Sequence, residues 1–452
     1  MDVMLSDGSQ VLCEDQPFNQ GAEGALFWST DRSSVIKLYF QPEIQRRITI
    51  ENILSRFNLV REDPIRTPFF AWPDGLVIAR DGEPALGIRM PAIADARPLD
   101  TYIRPDFWQG LPAAERGSWA ARVSVSFRMA RILRWMHNRG LCHSDLSPKN
   151  FLANLNTAQT TLIDCDGLVV PNLQPPSVLG TPECMAPELV AGRATPTIGT
   201  DRHALAVLIY WTLLLRHPLR GPRTHHQDPD EDERLAFGDR ALYIEHPTDS
   251  TNRPSRLPFT SQLLTTRMRR LFNKAFVDGL HDEARRPLPS DWEAALLRMA
   301  DQVVACPNPQ CEMKAFVAPE AHGFACPWCG SAYRSPGGSV PLLRLFRPGL
   351  RRGAFQPDDW SVVGVHALCW HHVDLRRAPE PGVAPEVLAY FHCEAGRWLI
   401  VNQGLDDALV LESSGSSLLA RGSAIPVAPG SRVVFGREEH HRVATVEMLR
   451  TS

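Results

Sequence analysis

The run His143-Ser144-Asp145-Leu146-Ser147-Pro148-Lys149-Asn150, followed by Leu162-Ile163-Asp164-Cys165-Asp166-Gly167, sets an acid, an amide five residues later and a second acid behind an apolar strand. Those types in that order match the working parts of a phosphoryl-transfer site. Upstream, Val35-Ile36-Lys37 puts a lysine inside an apolar strand, where its ammonium must find an anion; a nucleotide's phosphates would supply one. Just before it, Gly21-Ala22-Glu23-Gly24-Ala25-Leu26-Phe27 lies between two strand-like runs. Glycines there would let the backbone close over phosphates without a Cβ clash, although a plain hairpin turn would use the same residues. A second chemistry lies far downstream. Cys306 and Cys311, then Cys326 and Cys329, form two short cysteine loops. They are spaced to bring four thiolates to one tetrahedral zinc, and a site closed by four protein ligands is structural rather than catalytic.

Val35-Ile36-Lys37, the two acidic motifs and Gly180-Thr181-Pro182-Glu183-Cys184-Met185-Ala186-Pro187-Glu188 follow in the order and spacing of a protein kinase, which the chain resembles. The resemblance implies ATP with magnesium or manganese as cofactors. Asp145 would orient and accept the proton of the attacking hydroxyl, Lys37 would hold phosphates, and Asn150 and Asp164 would bind the metal. Asp166 competes with Asp164 for the metal; Asp164 is better spaced from Asn150, and Asp166 would assist or cap the turn. Gly21 and Gly24 would cover the nucleotide, and Met90, at the end of Leu86-Gly87-Ile88-Arg89-Met90-Pro91, would bring the chain into a hinge beneath the adenine. Glu51 is the candidate carboxylate for Lys37, with Glu43 as rival. Asp201 would brace the catalytic loop, and Arg286 would pair with Glu188. Two departures stand out: Ser144 replaces an arginine that anchors activation-loop phosphates, and Ser147 replaces a phosphate-contacting lysine, with Lys149 two residues on. With Asp164-Cys165-Asp166 in place of Asp-Phe-Gly, they would favour the alternative of a nucleotide-binding pseudokinase scaffold, but the elements expected to bind metal, nucleotide and hydroxyl are all present. A small-molecule kinase is a further rival, disfavoured by the complete Gly180–Glu188 segment.

The stretches His137–Asp145, Leu162–Asp166 and Asp201–Gly221, with Ala206–Tyr210 and Arg216-His217-Pro218-Leu219, resemble more narrowly a group of bacterial Ser/Thr kinases. These act in phosphorylation triads with a von Willebrand A-domain protein of the TerY type and a metal-dependent Ser/Thr phosphatase. Both are therefore expected partners. The likeness spans about residues 15–300.

Elements must hold these groups in place. Gln41 to Phe57 has helical spacing through Ile44, Ile48, Ile53 and Leu54. A helix from about Trp119 to Arg139 puts Val123, Phe127, Ala130, Leu133 and Met136 on one face, and Thr161–Ile163 reads as the strand that delivers Asp164. The fold expected is α+β: a bilobal kinase-like domain over 1–300 (N-lobe about 10–92, C-lobe about 93–300), a zinc ribbon over 301–334, a Gly-, Pro- and Arg-rich linker over 335–357 and an all-β sandwich over 358–452. In that last region Arg397–Asn402 and Val427–Gly436 resemble the second half of a forkhead-associated (FHA) domain, without a recognisable phosphothreonine-binding pattern in the first half. His371-His372 and His440-His441 read as strand-face histidines rather than as a second metal site.

A net charge of -3 over 452 residues argues against nucleic-acid and membrane-surface binding. The longest apolar stretch, Ala204 to Leu215, is too short to span a bilayer, and Met1-Asp2-Val3-Met4 opens no secretory signal. The expected compartment is a reducing cytoplasm, with free rather than bridged cysteines.

Overall fold

The computed structural model describes residues 1–169, 180–257, 259–318, 324–351, 353–379, 383–413 and 415–451. They divide into two compact units. One comprises residues 1–117, 124–261 and 270–293; the other comprises 118–123, 262–269 and 294–452.

The first unit opens with a sheet of seven strands: β1 (Asp2–Leu5), β2 (Gln10–Leu12), β3 (Asn19–Gln20), β4 (Gly24–Trp28), β5 (Ser34–Tyr39), β6 (Gly75–Arg80) and β7 (Glu83–Pro91). Their order is β2-β1-β6-β7-β5-β4-β3, antiparallel throughout. The sheet starts earlier than residue 10, because Val3 and Leu5 are buried and β1 pairs with β6. Side chains alternate across a strand. Ile36 and Leu38 therefore join Val3, Leu5, Phe27 and Val77 in one core cluster, while Val35 and Tyr39 join Ile88 and Met90 in another. Lys37 shares the face of Val35 and Tyr39.

That face also carries α1 (Ile44–Ser55), anchored by Ile50. Its N-cap, Glu43, makes no side-chain capping bond. Packing must therefore hold the helix, and a fully buried Ile contributes about 1.5–3 kcal/mol. The helix is rotated from the face expected: Thr49, Ile50 and Ile53 are buried, whereas Ile44 and Ile48 are exposed. Ile44, Arg47, Ile48 and Glu51 recur at i, i+3, i+4 and i+7, so one solvent-facing stripe holds all four.

Further along, strands Phe151–Asn154 and Gln159–Leu162 form a short antiparallel ladder. The helix Ile198–Leu214 begins at a capping box on Thr197 and is buried along nearly its whole length, as an almost uniformly apolar sequence requires. No helix among the described residues is long and apolar enough to cross a membrane.

The second unit is strand-rich. A hairpin of Val303–Ala305 and Ala315–Val317 carries the four-cysteine region. A six-stranded antiparallel sheet contains Phe355–Val363, Ser339–Pro348, Val443–Arg450, Arg432–Val434, Leu409–Glu412 and Gly415–Leu418, in that order. A four-stranded one contains Leu368–Cys369, Val387–Glu394, Arg397–Asn402 and Ala424–Pro426. The stretch read as a linker needs correction. Ser339–Pro348 is an interior strand paired on both sides, with Val340, Leu342, Leu343 and Leu345 buried. Pro336, Gly337 and Gly338 before it and Arg344 and Arg347 within it disguise the strand; Arg344 is matched by Glu447 on the neighbouring strand.

Asp301 ties the hairpin to the sheets. Its backbone carbonyl accepts from Val363 at 2.9 Å, and its buried carboxylate accepts from Trp360 Nε1 at 2.6 Å and His372 Nε2 at 3.1 Å. His372 Nδ1 accepts from the Cys369 amide at 2.9 Å, so both ring nitrogens are satisfied within the protein. His371 and His372 lie on a helical turn, Trp370–Val373, and not on a strand face.

Candidate active site

Lys37 is where the chemistry converges. Its Nζ donates to Asp164 Oδ1 at 2.7 Å and to Asp166 Oδ2 at 2.8 Å. The Tyr39 hydroxyl donates to the same Asp166 oxygen. The two acids differ in setting. The Asp164 side chain is 42% exposed, whereas Asp166 is sealed at 2%. Burial works against the Asp166 charge, but Lys37 and Tyr39 outweigh it and hold the carboxyl below its ordinary range. Burial and the neighbouring Asp166 charge push the Asp164 carboxyl up, against the pull of Lys37. On the lysine, burial favours the neutral amine, but Asp166 and Asp164 together hold it above its usual value. Removing Lys37 would leave two adjacent acids, one of them sealed, without their cation.

Glu51 does not take part. It pairs with Arg47 at 2.9 Å on the exposed stripe of α1. Its rival Glu43 is exposed at the helix start. The buried side of α1 presents Arg46, which lies over the Tyr39 ring at 4.6 Å and pairs with Glu23 at 2.8 and 3.0 Å. Glu23 sits in the turn between β3 and β4, closed by a Gly21 N to Gly24 O bond of 3.0 Å. Gly24 is required there: a Cβ would lie 2.4 Å from the Leu38 carbonyl oxygen. Met90 packs in the core opposite Val35, at the end of the strand beside β5.

Around Asp145 the backbone is forced. Ser144, Asp164 and Gly180 have φ of 66°, 60° and 109°. Left-handed non-glycine residues cluster at functional sites, where surrounding contacts must hold them. Those contacts are present. Asn150 Nδ2 donates to the Asp145 carbonyl at 2.8 Å and to its Oδ2 at 3.3 Å, and Thr181 Oγ1 donates to Oδ1 at 2.9 Å. The Ile163 amide donates to the Asn150 carbonyl at 2.9 Å, placing Asp164 beside the loop. Beneath it, Asp201 Oδ2 accepts from the His143 amide at 2.9 Å and lies 3.1 Å from His137 Nε2. Arg286 grips Glu188 through two bonds of 2.7 Å. Ser147 is buried and Lys149 exposed. Ser177 lies outside the described residues.

Asn150 uses its Nδ2 on Asp145, which leaves the amide oxygen, and Asp164 has an exposed carboxylate. An amide oxygen and a carboxylate are the hard donors that magnesium takes, so these residues fit that ion.

Residues 116–274 match the protein kinase domain family. The chain carries a protein kinase domain. It is 30% identical to the serine/threonine-protein kinase PknD of Chlamydia abortus over 130 residues, covering 24% of this chain and 14% of that protein. Pkn1 of Myxococcus xanthus is 32% identical over 139 residues, covering 27% and 20%. A dual serine/threonine and tyrosine protein kinase of Apis mellifera is 30% identical over 141 residues, covering 31% and 14%. The chain thus spans no more than 20% of the length of these relatives. Around Lys37, sequence reasoning missed Tyr39, Arg46 and Glu23. Tyr39 was open to inference, because a residue two beyond Lys37 on a strand must share its face.

The second unit holds a distinct cluster. The sulfurs of Cys306, Cys311, Cys326 and Cys329 lie within 4.8 Å of one another, with Cys306–Cys329 at 3.5 Å and Cys311–Cys326 at 3.8 Å. These separations are far too long for disulfides. They match the edge of a tetrahedron with metal–sulfur bonds of about 2.3 Å. Four soft thiolates fit zinc.

Proposed function

We propose that the kinase domain transfers the γ-phosphoryl group of ATP, with magnesium or manganese, to a serine or threonine hydroxyl of a protein. The observation that carries this is the Asp145 carboxylate, fixed between Asn150 and Thr181 where it can orient a hydroxyl and take its proton. Lys37 would hold the nucleotide phosphates, Asn150 and Asp164 would hold the metal, Gly21 and Gly24 would cover the phosphates and Met90 would lead to the adenine. Bound metal would neutralise charge on the transferring group. The named Ser/Thr kinases among the relatives support the hydroxyl chosen. Zinc would brace Cys306, Cys311, Cys326 and Cys329, and the strand-rich region, with its FHA-like segments, would dock partners. The likeness of His137–Asp145 and Asp201–Gly221 to the triad kinases supports a von Willebrand A-domain protein of the TerY type as substrate, with a Ser/Thr phosphatase opposing it in the cytoplasm. The test is transfer of label from γ-labelled ATP, with magnesium or manganese, to the chain itself and to such a partner.

A second reading, a nucleotide-binding scaffold, draws on buried Ser147 and exposed Lys149, which leave the loop without its usual phosphate-contacting lysine. Nucleotide binding without label transfer to any acceptor would favour it.

A further inference from the structure

We infer that Asp166 is the positioning residue for Lys37, doing the work that a helix glutamate does in protein kinases. The inference rests on the kinase reading above and names a residue that reading leaves without a role. In kinases the phosphate-binding lysine must be paired with a carboxylate on the helix that follows it, and movement of that helix makes or breaks the pair. Here α1 offers no such group. Glu51, the acid within the helix, faces outward onto Arg47, and Glu43 is exposed at its start. The side of α1 turned toward the sheet carries Arg46, whose guanidinium stands over Tyr39 and is matched by Glu23.

The lysine's carboxylate comes instead from the turn after strand Gln159–Leu162. Asp166 Oδ2 lies 2.8 Å from Lys37 Nζ, and the Tyr39 hydroxyl fixes the same oxygen from the same strand face. Asp164 and Asp166 thereby divide two tasks within three residues. Both acids pair with Lys37, but Asp164 keeps a half-exposed carboxylate that can also serve the metal, while Asp166 is sealed and faces only the lysine and Tyr39. Lys37 and the metal-binding acid are set by one turn, so displacement of α1 would leave Lys37 paired.

The test uses the full chain with three substitutions: Asp166→Asn, Glu51→Gln and Glu43→Gln. Two quantities are read: KM and kcat with magnesium-ATP, and labelling of Lys37 by trinitrobenzenesulfonate at one fixed pH, located by peptide mapping. Loss of Asp166 should raise Lys37 labelling, as one ion-pair partner is removed, and lower kcat/KM by about tenfold or more. Neither glutamate substitution should change either quantity. Unchanged labelling and kinetics in D166N, or a comparable fall in E51Q or E43Q, would overturn the inference. If D166N no longer melts cooperatively, the E51Q/E43Q double variant decides: wild-type labelling and activity support the inference, and a tenfold loss of activity defeats it. Should the wild type transfer no phosphoryl group while D166N still exposes Lys37 to the reagent, the kinase reading falls and the Lys37–Asp166 pair stands.

Discussion

Thr181 Oγ1 donates a hydrogen bond to Asp145 Oδ1 at 2.9 Å, joining the segment that ends at Glu188 to the carboxylate proposed as proton acceptor. Asparagine at 145 can still accept from Thr181, but it cannot take a proton from a substrate hydroxyl. Asp145→Asn should therefore keep its fold and lose about 10²–10⁴-fold in phosphoryl transfer. Initial rates with labelled ATP, beside a thermal melt, give the answer; full activity in the variant would remove Asp145 from the chemistry.

The four clustered sulfurs lead to an expectation of one zinc per chain. Elemental analysis of protein purified without added metal should find it, and Cys326→Ser with Cys329→Ser should abolish it. Thiolates must lose protons to bind, and the free energy of binding becomes free energy of folding. Chelation should therefore loosen the Val303–Val317 hairpin and speed amide exchange there. Zinc retained in full by the double variant would place the ion elsewhere.

His217 supplies a pH dependence. Its Nδ1 accepts from the Leu219 amide at 3.1 Å, so Nε2 carries the proton and donates to the Glu183 carbonyl at 2.8 Å. Burial holds this neutral ring at about 3, against an ordinary 6.5. The sign follows from proton counting. Below 6.5 the unfolded chain takes up a proton that the folded one refuses, so stability is full above 6.5 and is lost as pH falls toward 3. From pH 7 to pH 5 the loss from this site is about 2 kcal/mol. His217→Gln should flatten that dependence, and melting temperatures at the two pH values test it. An equal slope in both proteins would refute it.

The kinase domain match over residues 116–274 was legible because Asp145, Asn150 and Asp164, the residues proposed for its site, fall in ordered, closely spaced motifs. The strand around Lys37 and the helix from Trp119 were legible from apolar spacing, and the helix ends at His137, close to the expected Arg139. The face of α1 was not. The spacing through Ile44, Ile48, Ile53 and Leu54 mixes two sides of the helix, for Ile53 is buried beside Ile50 while Ile44 and Ile48 are exposed. That ambiguity carried Glu51 to the wrong side. The role of Asp166 was hidden for a related reason: its partner Lys37 lies 129 residues away, and only the folded sheet brings Tyr39 and Lys37 over it. Strand Ser339–Pro348 was obscured by flanking glycines and prolines that usually mark loops.

Activity should not require phosphorylation of the segment before Glu188. In many kinases new charge pairs to a loop phosphate order that segment. Here the residue before Asp145 is the uncharged Ser144, and Arg104 is already engaged by Glu183. Arg286 and Glu188, Thr181 and Asp145, and His217 and the Glu183 carbonyl fasten the described part of the segment without a phosphate. A phosphate on Thr181 would set negative charge against the Asp145 carboxylate and remove a donor from it. Complete dephosphorylation should therefore leave the rate within about twofold, whereas Thr181→Asp should cost at least about tenfold through the lost hydrogen bond and like-charge repulsion. Thr181→Ser, which keeps the hydroxyl, should retain most activity and so separate loss of the donor from failure to fold. A large fall on dephosphorylation, reversed by rephosphorylation and blocked by Ser177→Ala, would show that the segment does depend on a phosphate.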